Sequence, residues 1–129
     1  MATITPRYVC LRHTLPEGDR PSHWDLMFQH GDCLRTWAVD QQPGSDACRE
    51  AQELPGHRLA YLDYEGPVSG NRGSVVRWDV GVYQAVEVTL DRWLLDLEGE
   101  RLRGRILFER VAPGSHSWRV SFVAAPNRG

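Results

Sequence analysis

The chain has 129 residues, of which 41% are hydrophobic and 25% charged, the ordinary balance of a soluble globular protein with room for one core. A formal net charge of −2 excludes a protein that coats nucleic acid indiscriminately, which needs many phosphates neutralised together, but leaves a local phosphate site open. No apolar run approaches the roughly 20 residues needed to cross a bilayer, and MATITPRYVC has neither the basic leader nor the cleavage site of an export signal, so a cytoplasmic protein with no membrane partner is expected.

In chain order, strand-like runs appear at YVCLRH, SHWDLMF, CLRTWAV, RLAYLDY, SVVRWDVGVY, RWLLDLE, RLRGRILFERV and SWRVSFV. Turn signals such as PEG, HGD, QPGS, GPVSGNRG, EGE and APGS separate them, the pattern of an all-β barrel or sandwich. The one helix candidate is Ser45–Glu53, which opens on a plausible Ser cap and contains Ala, Arg, Glu and Gln. We therefore expect a single mainly β domain over residues 1–129, a small antiparallel barrel with one or two short helices. The tail Ala125–Gly129 is expected to fray. Cys10, Cys33 and Cys48 are odd in number and share no Cys-x-x-Cys spacing, so they read as structural thiols and not as a disulfide framework or zinc knuckle. A Trp-Asp pair occurs once, in RWDVGVY; a propeller would repeat it at a regular period.

Strict alternation in SHWDLMF puts His23, Asp25 and Met27 on one face of a strand and Trp24, Leu26 and Phe28 on the other, with the second, apolar set facing the core. Imidazole nitrogen and ionised oxygen side by side suit a hard or borderline divalent cation. Two ligands hold a metal poorly, and His13 is the nearest third ligand upstream if TLPEGDRPS folds back. Taken alone, His-x-Asp reads first as a surface pair. His57 and Tyr61, four apart in GHRLAYLDYEG, share a face if that segment is extended, and offer an imidazole and a phenol to an anionic ligand. His30 and His116 fall in expected turns. Arg101, Arg103 and Arg105 alternate with Leu102, Gly104 and Ile106, giving a basic face that either tracks a nucleic-acid backbone or is simply solvated.

Taken in order, these pieces resemble the 3′-phosphoesterase domain of bacterial DNA ligase D and its stand-alone relatives. That family's His followed by His-Tyr-Asp-Leu-Arg is matched by His13 and by His23-Trp24-Asp25-Leu26-Met27. Its Ser-Trp-Ala-Val is similar to Thr36-Trp37-Ala38-Val39, and its Asp-His-Pro-Leu-x-Tyr-x-x-Phe-Glu-Gly block looks like Gly56-His57 through Glu65-Gly66. Its Gly-rich turn and Trp-Asp-x-Gly-x-Tyr resemble GNRGSVVRWDVGVY, and its Gly-x-x-Leu-x-Gly hairpin resembles GERLRGRILFER. The resemblance implies a small β-barrel that trims 3′ ends of DNA or RNA in repair, removing a terminal ribonucleoside and then the 3′ phosphate, with Mn²⁺ preferred. It implies that His13, His23 and Asp25 ligate the metal, that His57 and Tyr61 meet the phosphate as catalytic residues, and that a DNA ligase or polymerase of end joining is a partner.

The chain departs from the family in three places. Met27 stands where the family has Arg, Asp40-Gln41-Gln42 replaces its Pro-Lys-Gly, and the gap from His13 to His23 is four residues longer. Arg20, Arg12 and Arg35 are candidates to replace the guanidinium. These departures support an alternative function, a catalytically impaired relative that binds nucleic-acid ends or a protein. A third class is a mononuclear iron oxygenase, whose last ligand would be His116.

Overall fold

The computed structural model describes residues 5–16, 18, 21–44 and 48–125. Nine strands carry it: β1 Arg7–Thr14, β2 His23–His30, β3 Cys33–Val39, β4 Arg49–His57, β5 Gly66–Pro67, β6 Ser74–Val88, β7 Arg92–Gly99, β8 Arg103–Arg110 and β9 Ser117–Ala124. All pairings are antiparallel, in the order β1-β2-β3-β4-β9-β8-β7-β6, and β1 pairs β6 to close an eight-stranded barrel, with β5 attached to β6. Closure removes the sheet's free edges. It is possible because β6 has 15 residues and pairs β1 along Ser74–Val82 and β7 along Gly81–Val88.

The barrel interior is aromatic. Trp37 stacks on Phe108 at 4.0 Å between ring centroids, and Trp118 meets Trp37 edge-on at 5.3 Å. Phe28 packs against Tyr8, Tyr83 and Phe108. The Arg35 guanidinium lies over Trp37, Trp93 and Trp118 at 5.0, 5.5 and 5.6 Å and pairs with Glu53. Tyr8, Asp79 and Leu102 form a second polar knot: the Asp79 carboxylate accepts from the Tyr8 hydroxyl at 2.5 Å and from the backbone N–H groups of Arg101 and Leu102 at 2.7 and 3.1 Å. The Trp-Asp-x-Gly sequence is thus structural here. The β1–β6 register skips Trp78, so Asp79 lies opposite Cys10, and Gly81 is needed because a Cβ there would sit 2.2 Å from the Glu98 carbonyl oxygen.

As the alternation requires, Leu26 and Phe28 face the lumen, with half-buried Trp24 packed against that core. The other face of β1 and β2 is buried too. Val9, Leu11, Met27, Leu34, Leu62 and Val75 form a second apolar cluster, to which Leu59, Tyr61, Val68 and Val80 add. The segment between β4 and β6 covers this outer face, so β2 is buried on both sides over Asp25–Phe28.

Two sequence expectations are corrected. The helix expected over Ser45–Glu53 is strand from Arg49 onward, because the barrel needs β4 to bridge β3 and β9, and Ala51 pairs with Trp118; Ser45–Ala47 lie outside the described residues. RLAYLDY is not a strand: it contains a 3₁₀ turn, Leu59–Leu62, the one helical element among the described residues. The part of the expected fraying tail beyond Ala125 also lies outside them. No helix among the described residues is long and apolar enough to cross a membrane, and Cys10, Cys33 and Cys48 are free thiols.

Candidate functional site

The antiparallel register sets His13 directly opposite His23 and Leu11 opposite Asp25. All three polar side chains therefore share the outer face of the β1–β2 hairpin, where opposed side chains are about 5 Å apart. The long connection does not displace His13, and the backbone N–H of Leu15 donates to the Ser22 hydroxyl at 3.0 Å to close it. The imidazole rings meet edge-on with centroids 4.9 Å apart, and one ligand-capable atom from each of His13, His23 and Asp25 lies within 4.8 Å of the others.

Backbone carbonyls orient both rings. His13 Nε2 is 2.7 Å from the Arg72 carbonyl oxygen. A carbonyl only accepts, so Nε2 carries a proton, and in the neutral ring Nδ1, 3.5 Å from Asp25 Oδ2, presents a lone pair. His23 is the mirror case: Nδ1 donates to the Pro21 carbonyl at 3.1 Å, and Nε2 lies 3.1 Å from Asp25 Oδ1. That oxygen is buried and has no hydrogen-bond donor, consistent with a lone pair facing it. Burial pushes the Asp25 carboxyl up; where the His13 and His23 rings are protonated, their hydrogen bonds and positive charge outweigh this and hold it below the ordinary carboxylate value, whereas the neutral rings offer it no donor. Two tautomer-fixed imidazole nitrogens and a buried carboxylate with an unsatisfied oxygen fit a divalent cation, and the carbonyls supply the outer support typical of metal-bound histidine.

The loop that supplies the Arg72 carbonyl is built on tight turns. Gly70, Asn71 and Gly73 have φ of 75, 55 and 78°, and a Cβ on Gly73 would sit 1.9 Å from the Thr14 carbonyl oxygen. Only glycine lets this loop approach the end of β1 closely enough to reach His13.

His57 ends β4, and the chain then turns through the 3₁₀ segment, whose first bond runs from the Tyr61 N–H to the Arg58 carbonyl at 3.0 Å. His57 and Tyr61 therefore come together through a turn and not along an extended strand; their rings meet edge-on at 5.7 Å. The Pro55 carbonyl accepts from His57 Nδ1 at 2.9 Å, which leaves Nε2 as the nitrogen for a ligand. A cavity of about 550 Å³ is lined by His13, His23 and Asp25 together with His57 and Tyr61. All five sequence-derived site residues thus line one space.

Met27 also lines this cavity but is only 1% exposed and belongs to the outer apolar cluster. Of the guanidinium groups considered as replacements, Arg12 stacks over Trp24 and Arg35 is committed to the tryptophans and Glu53, while Arg20 lies outside the described residues. The cationic residues lining the cavity are instead Arg58 and Arg72. Sequence reasoning missed both, because each is brought in by the covering segment, and GHR and GNRG carry no spacing signal toward the hairpin. His116 is highly exposed and nearest Glu53, and it is absent from the ligand cluster, so the oxygenase arrangement is not built. The Arg101, Arg103 and Arg105 guanidiniums engage the Trp78 carbonyl, the Gly99 carbonyl and Asp96, respectively.

A family model described as the DNA ligase D 3′-phosphoesterase domain matches residues 12–110. No curated protein matches the chain.

Proposed function

The chain belongs to the DNA ligase D 3′-phosphoesterase domain family, and we propose that it hydrolyses phosphate esters at 3′ ends of DNA or RNA, removing a terminal phosphate or ribonucleoside, with Mn²⁺ as its metal. The observation that carries this reading is the convergence of His13, His23 and Asp25 in one cavity with His57 and Tyr61. A divalent cation held by the three ligands would neutralise charge on the phosphoryl oxygens.

The remaining work falls to the chain's own side chains. Hydrolysis forms a bond from a water oxygen to phosphorus and breaks a bond from phosphorus to oxygen: to the 5′ oxygen of a terminal ribonucleoside, which leaves a 3′ phosphate behind, or to the 3′ oxygen, which releases phosphate; the departing oxygen leaves as a hydroxyl once it gains a proton. His57, fixed through Nδ1 by the Pro55 carbonyl, donates that proton from Nε2 when it enters the reaction as imidazolium. The Tyr61 hydroxyl donates to a non-bridging phosphoryl oxygen. Arg58 and Arg72 supply positive charge at the cavity that position 27 does not. The end product is a 3′ hydroxyl, the group that a polymerase extends and a DNA ligase seals, so enzymes of end joining are the partners that consume it.

Incubating the protein with Mn²⁺ and a primer ending in a 3′ phosphate or a single ribonucleotide tests this directly. Conversion of the 3′ phosphate to a 3′ hydroxyl, or shortening of the ribonucleotide-ended primer, that is lost in His23→Ala is the expected result; no product above that variant with any of several divalent metals rules the activity out. The buried, apolar setting of Met27 favours a second reading, in which the site binds ends without turning them over. Turnover appearing only in Met27→Arg would select it.

A further inference from the structure

Beside the cavity lies a second hollow of about 250 Å³, walled by Arg58, Ala60, Tyr61, Tyr64, Pro67 and Ser69. Arg58 and Tyr61 line both spaces, so a molecule with one end among the histidines extends into the hollow by passing these two side chains. The hollow is built around a fixed aromatic ring. The Tyr64 hydroxyl donates to the Pro67 carbonyl, and the ring meets Tyr61 edge-to-face at 5.8 Å. Tyr64 nevertheless remains 37% exposed. The ring is thus held by its hydroxyl and by Tyr61 while part of its surface is left open. Arg58 is exposed, and among the described residues no side-chain hydrogen bond or ion pair engages its guanidinium. Arg72, by contrast, is bound to the Ser69 carbonyl and hydroxyl at 2.7 and 3.2 Å.

We infer that this hollow is a nucleoside subsite, in which the base of the 3′-terminal nucleotide stacks on Tyr64 while Arg58 holds the phosphate between base and metal ligands. The inference rests on the proposed phosphoesterase reading and adds to it a substrate class: ends that carry a base, in preference to base-free phosphate esters. Stacking on a fixed ring uses the face common to all four bases, so the preference is for a base and not for a sequence. A guanidinium at the boundary between the spaces is placed for a phosphate oxygen pair.

The test is fluorescence anisotropy at fixed salt in Mn²⁺, with 5′-labelled single strands ending in a non-hydrolysable 3′-phosphonate, one with its terminal base and one abasic at that position. The wild type is expected to bind the base-bearing end about tenfold tighter or more, within the range for one stacked base. Tyr64→Ala and Tyr64→Leu should erase that difference by weakening only the base-bearing strand, Tyr64→Phe should keep it, and Arg58→Ala should weaken both strands. Circular-dichroism melting confirms that the variants are folded, and the leucine variant keeps side-chain bulk. Equal wild-type binding of the two ends, binding of neither, or discrimination that survives in both Tyr64→Ala and Tyr64→Leu overturns the subsite. The turnover assay separates the two readings: discrimination without hydrolysis leaves the subsite standing and removes the activity, whereas hydrolysis without discrimination does the reverse.

Discussion

Asp25→Asn is expected to stabilise the metal-free protein and, in the same variant, to abolish stabilisation by Mn²⁺. The carboxylate is 3% exposed, and its Oδ1 faces His23 Nε2 at 3.1 Å without a donor. A buried polar atom left unsatisfied costs about 1–3 kcal/mol, and with both imidazoles neutral, and so without their compensating charge, a buried carboxylate adds to that. Asparagine has the same shape and no charge, and its amide can donate to the His23 lone pair. The metal-free gain is therefore about 1–2 kcal/mol, or about 3–10 °C in melting temperature for a chain of this size. Mn²⁺ at a hundredfold excess over its dissociation constant stabilises the wild type by about 2.7 kcal/mol; the variant, lacking the charged ligand, should gain little of this. Thermal unfolding at pH 8 with either EDTA or Mn²⁺ reads both effects. If Asp25→Asn destabilises the metal-free protein by more than about 1 kcal/mol, or if the variant keeps the full Mn²⁺ shift, the cluster is a buried ion pair of proton-bearing imidazoles and not a metal site.

Asp79→Ala leaves the Tyr8 hydroxyl and two backbone N–H groups without their acceptor; two of these sites are buried, so a loss of about 3–5 kcal/mol is expected, read as a lower urea midpoint by tryptophan fluorescence. Burial pushes the Tyr83 phenol up to about 12, which means the fold favours its neutral form. That contribution is complete below the reference value of about 10 and is lost as pH rises toward about 12, so Tyr83→Phe should flatten the decline of the urea midpoint over that window. Gly73→Ala drives a Cβ against the Thr14 carbonyl oxygen and moves the loop whose Arg72 carbonyl orients His13. Titration followed by thermal shift should show Mn²⁺ affinity falling by about 10- to 100-fold, as expected when a ligand loses its outer support.

The sequence by itself determined most of the strands and which polar residues share a strand face. Period-2 alternation in HWDLMF put His23 and Asp25 on one face, because side-chain direction along a strand is a local property, and the hairpin signals made an antiparallel β protein the natural outcome. Ordered motifs from His13 to the GERLRG hairpin also made the family legible, as the match over residues 12–110 bears out. Properties set by distant chain were not legible. Arg49–Glu53 has helical residues but is strand, since closing a barrel between β3 and β9 outweighs the few tenths of a kcal/mol per residue at stake in helix propensity. Only the tertiary structure decided that the His-Asp face is roofed by the β4–β6 segment, which buries Met27, fixes the His13 tautomer through the Arg72 carbonyl, and brings Arg58 and Arg72 to the cavity. Register and loop docking depend on pairings between residues tens of positions apart, and no window of sequence encodes the distance between them.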